Sequence, residues 1–400
     1  MDVLLTDWLS LLLRWAHLIV GIAWIGSSFY FIWLDLGLKK REGLPEGVAG
    51  ESWMVHGGGF YHAQKYMVAP PALPEELHWF KYEAYSTWIT GFLLLALIYY
   101  WGAESFLIDP RVMALEPWAA ILISLAFLAG GWLAYDLLCK SPLGRNTTVL
   151  AVLVFVFSVA AAYGLGLVFS GRAAFLHVGA MLGTMMAANV FFVIIPNQKK
   201  TVAALLAGEE PDPALGLQAK QRSTHNNYLT LPVLLMMISN HYPMTYGQGH
   251  GWVIVAGVIL FGAVVRHFFN TRNTGARGLQ IAWQFPVAAL IIVGLIGFTA
   301  GGFGPGGGEG AEAETPSAEE AFAVVQARCV SCHAAKPTDE NFEEAPGGVM
   351  FDSPAQLKTH AARVLAQTVL SDAMPLGNET GMTDEERHLL GAWIRAGAPE

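Results

Sequence analysis

Apolar residues occur in eight long runs over the first three quarters of the chain, and polar segments separate these runs. The runs lie near 8–35, 83–104, 117–138, 147–169, 173–196, 228–243, 251–269 and 279–300. A helix of about 20 apolar residues is long enough to cross a bilayer, and a single run in lipid satisfies its backbone amides only as a helix. The pattern therefore predicts an all-α fold, a polytopic membrane helix bundle with about eight transmembrane helices.

The composition changes at residue 301 and divides the chain into three parts. Residues 301–316 are rich in Gly, Pro and Glu, which is typical of a flexible linker. The predicted membrane domain, 1–300, precedes this linker, and a small polar domain, 317–400, follows it. The first apolar run is too long for a cleavable signal peptide, so we expect it to remain as a membrane anchor.

Acidic residues are concentrated in the last domain. Residues 309–400 contain 16 acidic and 6 basic side chains, and the whole chain has a net charge of −9. A surface of this sign repels phosphates, so we expect no nucleic-acid partner. The same charge favours contact with a basic redox protein.

The last domain contains the segment QARCVSCHAAKP, in which Cys329, Cys332 and His333 form a Cys-x-x-Cys-His motif. This motif is typical of the covalent attachment of a c-type haem. The two cysteines would form the thioether links, and His333 would be the proximal iron ligand. A zinc site or a thiol redox pair is the alternative, but no second pair of ligands follows. We therefore predict a small cytochrome c-type helical domain with haem c.

A distal iron ligand is expected downstream of this motif. Met374, in DAMPLGNET, precedes Pro375 and is the predicted ligand, because a thioether favours ferrous iron and proline stiffens the turn. Met350 and Met382 are the alternatives.

The basic residues of the loops mainly follow the odd-numbered runs. They include Lys39, Lys40, Arg41, Lys65, Lys81, Lys140, Arg145, Lys199, Lys200, Lys220, Arg222, Arg266, Arg272 and Arg277. Lys and Arg are concentrated on the cytoplasmic side of membrane proteins, whereas haem c is attached in the periplasm. Both signals predict a multi-pass protein of the bacterial inner membrane, with the cytochrome domain and both termini in the periplasm.

Histidines within the apolar runs suggest a second cofactor. Ionisable groups inside spans are costly and often functional. His17 and His177 have similar predicted depths, and His241 is a third candidate, so two of them could ligate the iron of a haem b that carries electrons across the membrane. The alternative is that each histidine makes a hydrogen bond between helices.

The longest loop on the predicted cytoplasmic side is patterned rather than irregular. A Gly57–Gly59 turn flanked by apolar and aromatic residues predicts a short hairpin. His56, His62, Gln64 and Lys65 lie among its aromatic residues and could hold a flat, anionic heterocycle. The alternative is a belt of aromatic and basic residues in contact with membrane lipid.

Two further polar clusters lie in loops on the same predicted side. His225 and Asn226 occur in KQRSTHNNYLTLP, and Arg272 occurs in RHFFNTRNTGARG. The functional interpretation is one composite site with the first loop, whereas the alternative for the arginines is that they only set the topology. A pocket on the other side, near His241 and His250, is a further alternative.

Seven segments of the chain together resemble a known family. They read RWAHLIVGIAWIGSSFYFIWLD, VHGGGFYH, WFKYEAYSTW, NVFFVIIPNQ, HNNYLTLPVL, SNHYP and MPLGNET. The chain thereby resembles the bacterial integral membrane urate oxidase (urate hydroxylase) family, whose members join an eight-span membrane domain to a cytochrome c. The resemblance implies oxidation of urate to 5-hydroxyisourate in purine catabolism, with electrons passing to the haem and then to an acceptor such as another cytochrome c or an oxidase.

The resemblance supplies the haem ligands but no list of catalytic residues. From the chemistry of urate we predict His56, His62, Gln64 and Lys65 as catalytic residues first, followed by His225, Asn226 and Arg272. Histidine can accept protons near neutral pH, and cations and amides can hold the anion.

Two other functions compete with urate oxidation. The membrane domain could be a cytochrome b-like conduit that passes electrons from a quinol to cytochrome c. Alternatively, the chain could be a transporter with a redox-sensing tail, although few charges lie deep in the predicted spans.

Overall fold

The computed structural model describes residues 3–247, 250–300, 315–370 and 373–399. The N-terminal helices are α1 (Val3–Gly37), α2 (Tyr82–Leu95), α3 (Pro117–Lys140), α4 (Thr147–Gly166), α5 (Gly171–Ala188), α6 (Ile195–Leu206), α7 (Pro213–Ile238), α8 (Gly251–Asn273), α9 (Leu279–Ala282) and α10 (Gln284–Thr299). The C-terminal domain contributes α11 (Ala318–Arg328), α12 (Pro354–Thr359), α13 (Ala361–Val364) and α14 (Asp384–Arg395). The predicted all-α class is confirmed.

Six helices in the described part of the chain are long and apolar enough to cross a membrane, by length and composition. They span Leu4–Gly37, Pro117–Lys140, Thr147–Gly166, Gly171–Leu206, Gly251–Asn273 and Leu279–Thr299. The predicted runs 83–104 and 228–243 do not qualify. In the first, α2 has only 14 residues before π-helical turns begin. In the second, the apolar run is the last part of α7, whose first half is polar.

The bundle has two distinct ends. Strands β1 (Val48–His56) and β2 (Gly59–Tyr66) follow α1, and we call their side the hairpin end. The last turns of α1, α3 and α8 and the first half of α7 lie there, as shown by contacts of Gly37 with Asn273 and of Asp136 with Arg222. The C-terminal domain packs on the opposite side, which we call the docking end. The substrate chemistry predicted for the loops and the predicted haem therefore lie at opposite ends of the bundle.

The predicted hairpin is confirmed. β1 and β2 pair antiparallel, with His56 opposite Gly59 and Trp53 opposite His62. Gly57 and Gly58 form the turn with φ of +59° and +79°, values that two successive residues with side chains rarely adopt. The loop is thus an ordered two-stranded sheet that places its side chains at defined positions.

The core of the bundle forms around α5, which carries buried residues along its whole length. Small residues bring neighbouring helices close to it and to each other, as is common in helical membrane proteins. Gly262 of α8 faces the ring of Pro232 in α7, so that a Cβ there would lie 2.6 Å from the proline Cδ. The close approach of α7 and α8 therefore depends on the absence of a side chain at residue 262.

The C-terminal domain has its own core and also contacts the bundle. Leu357, Leu390 and Trp393 are buried in this core. At the docking end, Gly377 adopts φ +56° and its Cα lies against the carbonyl groups of Glu104, Ser105 and Ile108, with about 3 Å left for a Cβ. The backbone of the Met374 loop therefore rests directly on the π-helical turn at Ala103–Leu107 and the residue that follows it.

Candidate functional site

The Cys-x-x-Cys-His segment presents the side chains that would hold a covalent haem. Cys329 and Cys332 are free thiols, and burial raises the pKa of Cys329 to about 12 and that of Cys332 to about 11, so both remain protonated. His333 Nδ1 donates a hydrogen bond to the Val349 carbonyl at 2.9 Å. Its Nε2 then carries the lone pair and has no partner among the described residues. A backbone carbonyl commonly orients an iron-binding imidazole in this way, so the residues fit haem c.

The two main candidates for the distal ligand differ in their surroundings. Met382 is 1% exposed and packs inside the core of the C-terminal domain. Met374 lies on the loop beside the docking contact, where its carbonyl accepts a hydrogen bond from Arg387. The burial of Met382 is fully explained by core packing, which favours Met374 as the ligand.

The four predicted catalytic residues of the first loop lie on the hairpin but do not converge. His62 donates to Glu51 at 2.6 Å and stacks on Trp53. Lys65 pairs with Asp35 of α1 at 2.5 Å. His56 is exposed at the turn, and Gln64 lies opposite Glu51 in the register. The Lys65–Asp35 pair attaches the hairpin to α1, and the His62–Glu51 pair joins its two strands. Both pairs have a structural role, and the predicted catalytic role stays a prediction.

His225 and Asn226 belong to a buried polar network between α3, α5 and α7. Tyr135 OH is 2.7 Å from His225 Nδ1, and Asn189 Nδ2 donates to Asn226 Oδ1 at 2.9 Å. Arg222 donates to Asn189 and forms an ion pair of 2.7 Å with Asp136. The charge of Arg222 and most hydrogen-bond donors of the network already have partners within the protein, so the network offers few groups to a ligand. Among the described residues, no hydrogen bond joins it to the hairpin residues.

A second buried cluster lies next to this network, and we call Phe29, Asn227, Arg266 and Asn270 the Arg266 cluster. Arg266 donates to Asn227 Oδ1 at 3.4 Å and to Asn270 Oδ1 at 3.2 Å, and Asn270 also donates to Asn227. The guanidinium lies 3.8 Å from the centre of the Phe29 ring. Arg272, one and a half turns further along α8, is exposed and has no such contacts.

Sequence reasoning missed Tyr135, Asp136 and Phe29, which lie inside apolar runs. Asp136 could have been noticed, because a carboxylate in an apolar run needs a partner. Phe29 gave no signal, since an aromatic residue in an apolar helix is usually packed in the core. Arg266 was visible but was assigned to a loop, although the structure buries it.

The histidines predicted for haem b do not form an evident ligand pair. His177 Nδ1 donates to the Ala173 carbonyl and its Nε2 accepts from Ser124, so it can bind iron only by losing a hydrogen bond. His17 contacts Thr90 at 3.0 Å. His241 is exposed at the docking end. Haem b stays a prediction that these contacts do not favour.

A cavity of about 340 Å³ lies between the bundle and the C-terminal domain. Tyr246, Gly247 and Trp252 line it, close to His250, where the alternative pocket was predicted. Arg172 and Arg111 also border it, and Arg111 is paired with Asp109 at 2.9 Å. The bundle supplies most of the lining, and Ala373, Leu376, Gly377 and Asp384 of the C-terminal domain supply the rest.

Comparison with known proteins gives one result for the bundle. A family model described as urate oxidase N-terminal matches residues 3–298. No curated protein and no solved structure matches the chain. The matched range contains the hairpin, both buried polar clusters and all helices of the bundle except the last residue of α10. Because it covers most of the chain, the chain belongs to the urate oxidase N-terminal family.

Proposed function

We propose that this chain is a membrane-bound urate hydroxylase that oxidises urate to 5-hydroxyisourate and passes the electrons to a haem c on its C-terminal domain. The match of the family model to residues 3–298 carries the proposal. The orientation of His333 by Val349 supports the haem, and the six long apolar helices support the membrane location. The same proposal places the protein in the bacterial inner membrane, with its C-terminal domain on the periplasmic side.

The reaction removes two electrons and two protons from urate. A water oxygen forms a new bond to C5 of the purine, and the two protons are released to bases or solvent. A haem accepts one electron at a time, so each turnover needs two transfers to an external one-electron acceptor, such as a ferric cytochrome c. Cations and amide groups of the bundle would hold the urate anion and the charge that develops during attack.

The test is anaerobic reduction of the purified full-length holoprotein by urate. We expect the absorption of reduced haem c to appear on addition of urate, and a 1:2 ratio of urate consumed to ferric cytochrome c reduced. The Cys329→Ser, Cys332→Ser double variant, which cannot bind haem covalently, should not transfer electrons. Reduction by a quinol but not by urate would refute the proposal and favour the electron conduit.

A further inference from the structure

The Arg266 cluster contains a buried cation that lacks a buried anion. Three carboxylates at the hairpin end are already paired with other basic groups. Glu51 pairs with Arg41 and His62, Asp35 with Lys65, and Asp136 with Arg222 and Lys140. Arg266 is only 5% exposed, and no carboxylate among the described residues lies within ion-pair distance of it. Burial of an unpaired charge is costly, so this position favours an anionic ligand.

The cluster also has polar atoms without partners. Asn227 is completely buried, and its Nδ2 has no hydrogen-bond partner among the described residues. Arg266 Nη1 also makes no hydrogen bond to a described residue, because its bonds run through Nε and Nη2. Native structures rarely leave buried donors unmatched. The buried Asn227 amide therefore indicates an acceptor that a bound molecule supplies, and Arg266 Nη1 is a second donor that such a molecule can use.

A third unmatched group lies at the same level of the bundle. Gln284, the first residue of α10, is 2% exposed, and both atoms of its amide lack partners among the described residues. Its neighbours Trp283 and Phe285 contact His267 and Phe268 of α8, the two residues that follow Arg266. An amide offers one donor and one acceptor edge, which suits a ligand that carries both N–H and C=O groups.

We propose that the Arg266 cluster, with Gln284, binds the substrate, and that Arg266 binds the anionic edge of urate. This inference rests on the proposed function. A guanidinium fork matches a planar anion in its own plane, with two parallel hydrogen bonds. Phe29 already lies against the guanidinium, and an aromatic ring beside the cation also suits a planar heterocycle.

This proposal places the primary ligands of urate in the Arg266 cluster rather than on the hairpin or in the network around Arg222. Their charges are compensated within the protein, so an anion would gain little by approaching them. Arg266 is held in place by Asn227 and Asn270 before any ligand binds. Such preorganisation lowers the entropic cost of binding.

Binding is measured separately from oxidation. The full-length holoprotein is first reduced with dithionite under anaerobic conditions, so that the haem cannot accept electrons, and urate affinity is then determined by equilibrium dialysis. We expect Arg266→Gln to weaken urate binding by at least about tenfold, because a charge-assisted hydrogen-bonded pair is lost. Arg277→Gln is the matched control, since Arg277 is exposed at the same end and should leave affinity unchanged.

Gln284→Leu provides a second readout that does not depend on Arg266→Gln folding. If Gln284 holds urate, its replacement should raise the melting temperature without urate, because two unmatched buried atoms disappear, and should weaken urate binding. If Arg266→Gln binds urate with wild-type affinity, the site is overturned, even though urate-dependent haem reduction still stands. Where Arg266→Gln does not fold, wild-type affinity in Gln284→Leu overturns the site in the same way. Absence of both urate binding and haem reduction in the wild type overturns the proposed function and this site together.

Discussion

At the scale of single residues, Asp136 shows how burial distinguishes two ion pairs to one carboxylate. Its oxygens pair with Arg222 at 2.7 Å and with Lys140 at 2.6 Å. The Arg222 side chain is 4% exposed, whereas that of Lys140 is 67% exposed. Distance alone would rank the pairs as equal. Solvent screening makes an exposed pair weak, and the loss of one member of a buried pair leaves a desolvated charge.

We therefore expect Arg222→Met to destabilise the protein by about 3 kcal/mol, toward the lower end for a buried pair because Lys140 still contacts Asp136. Lys140→Met should cost less than about 1 kcal/mol. The measurement is the free energy of unfolding in detergent, followed by circular dichroism. Equal losses in the two variants would contradict this ranking.

At the scale of helices and strands, the bundle relies on close contacts and on local departures from α-helical geometry. The end of α2 and the middle of the α5–α6 pass contain π-helical turns, at Ala96–Tyr100 and at Asn189–Ile194. π-Helical turns often lie at functional sites. The second of these begins at Asn189, which joins Tyr135, Arg222 and Asn226 in one network. The wider turn thus coincides with the point where three helices share polar side chains.

The contact of Gly262 with Pro232 leads to a test of helix packing. Gly262→Ala should destabilise the bundle by about 1–3 kcal/mol, because a rigid proline ring cannot move away from the new methyl group. Gly130→Ala is the matched control: no atom lies within 4 Å of its Cβ position, and alanine favours the helix. Thermal unfolding of both variants checks the prediction, and a neutral Gly262→Ala would show that α7 and α8 can separate without cost.

At the scale of the whole molecule, the C-terminal domain docks on the bundle through a small polar contact. Ser105 donates a hydrogen bond to Glu379 at 3.1 Å, next to the close approach of Gly377. Burial raises the pKa of the Glu379 carboxyl above its ordinary value, although the bond from Ser105 opposes this shift. The docked state therefore favours the protonated form of the Glu379 carboxyl over the carboxylate.

Docking should consequently depend on pH. The Glu379 carboxyl binds its proton more tightly in the docked state than in the undocked state. Docking is therefore strongest at a pH low enough to protonate this carboxyl in both states, and it weakens as the pH rises through the raised pKa of the docked state. The measurement is the distance between spin labels on non-native amino acids at Val112 and Lys336, which are exposed. Glu379→Gln should remove this dependence, and Gly377→Ala should prevent docking at every pH. An undiminished pH response in Glu379→Gln would assign it to another group.

Features that depend on neighbouring residues follow from the amino-acid sequence alone. Apolar runs predicted the helices and the Gly57–Gly59 turn predicted the hairpin, because each pattern is local. The spacing of Cys329, Cys332 and His333 is equally local, and the haem segment that it indicates stays a prediction. The runs 83–104 and 228–243 give no helix that is both long and apolar enough to cross a membrane, because α2 changes to π-helical turns after 14 residues and the first half of α7 is polar.

The pairing of polar groups, in contrast, depends on how the helices pack in three dimensions. Lys65 meets Asp35, Arg222 meets Asp136 and Arg266 meets Phe29, and each pair joins elements far apart in the sequence. In the sequence, Lys65, Arg222 and Arg266 are indistinguishable basic residues of the loops. Whether a charge is compensated depends on where separate helices come together, and for this reason the uncompensated Arg266 emerged only from the folded bundle.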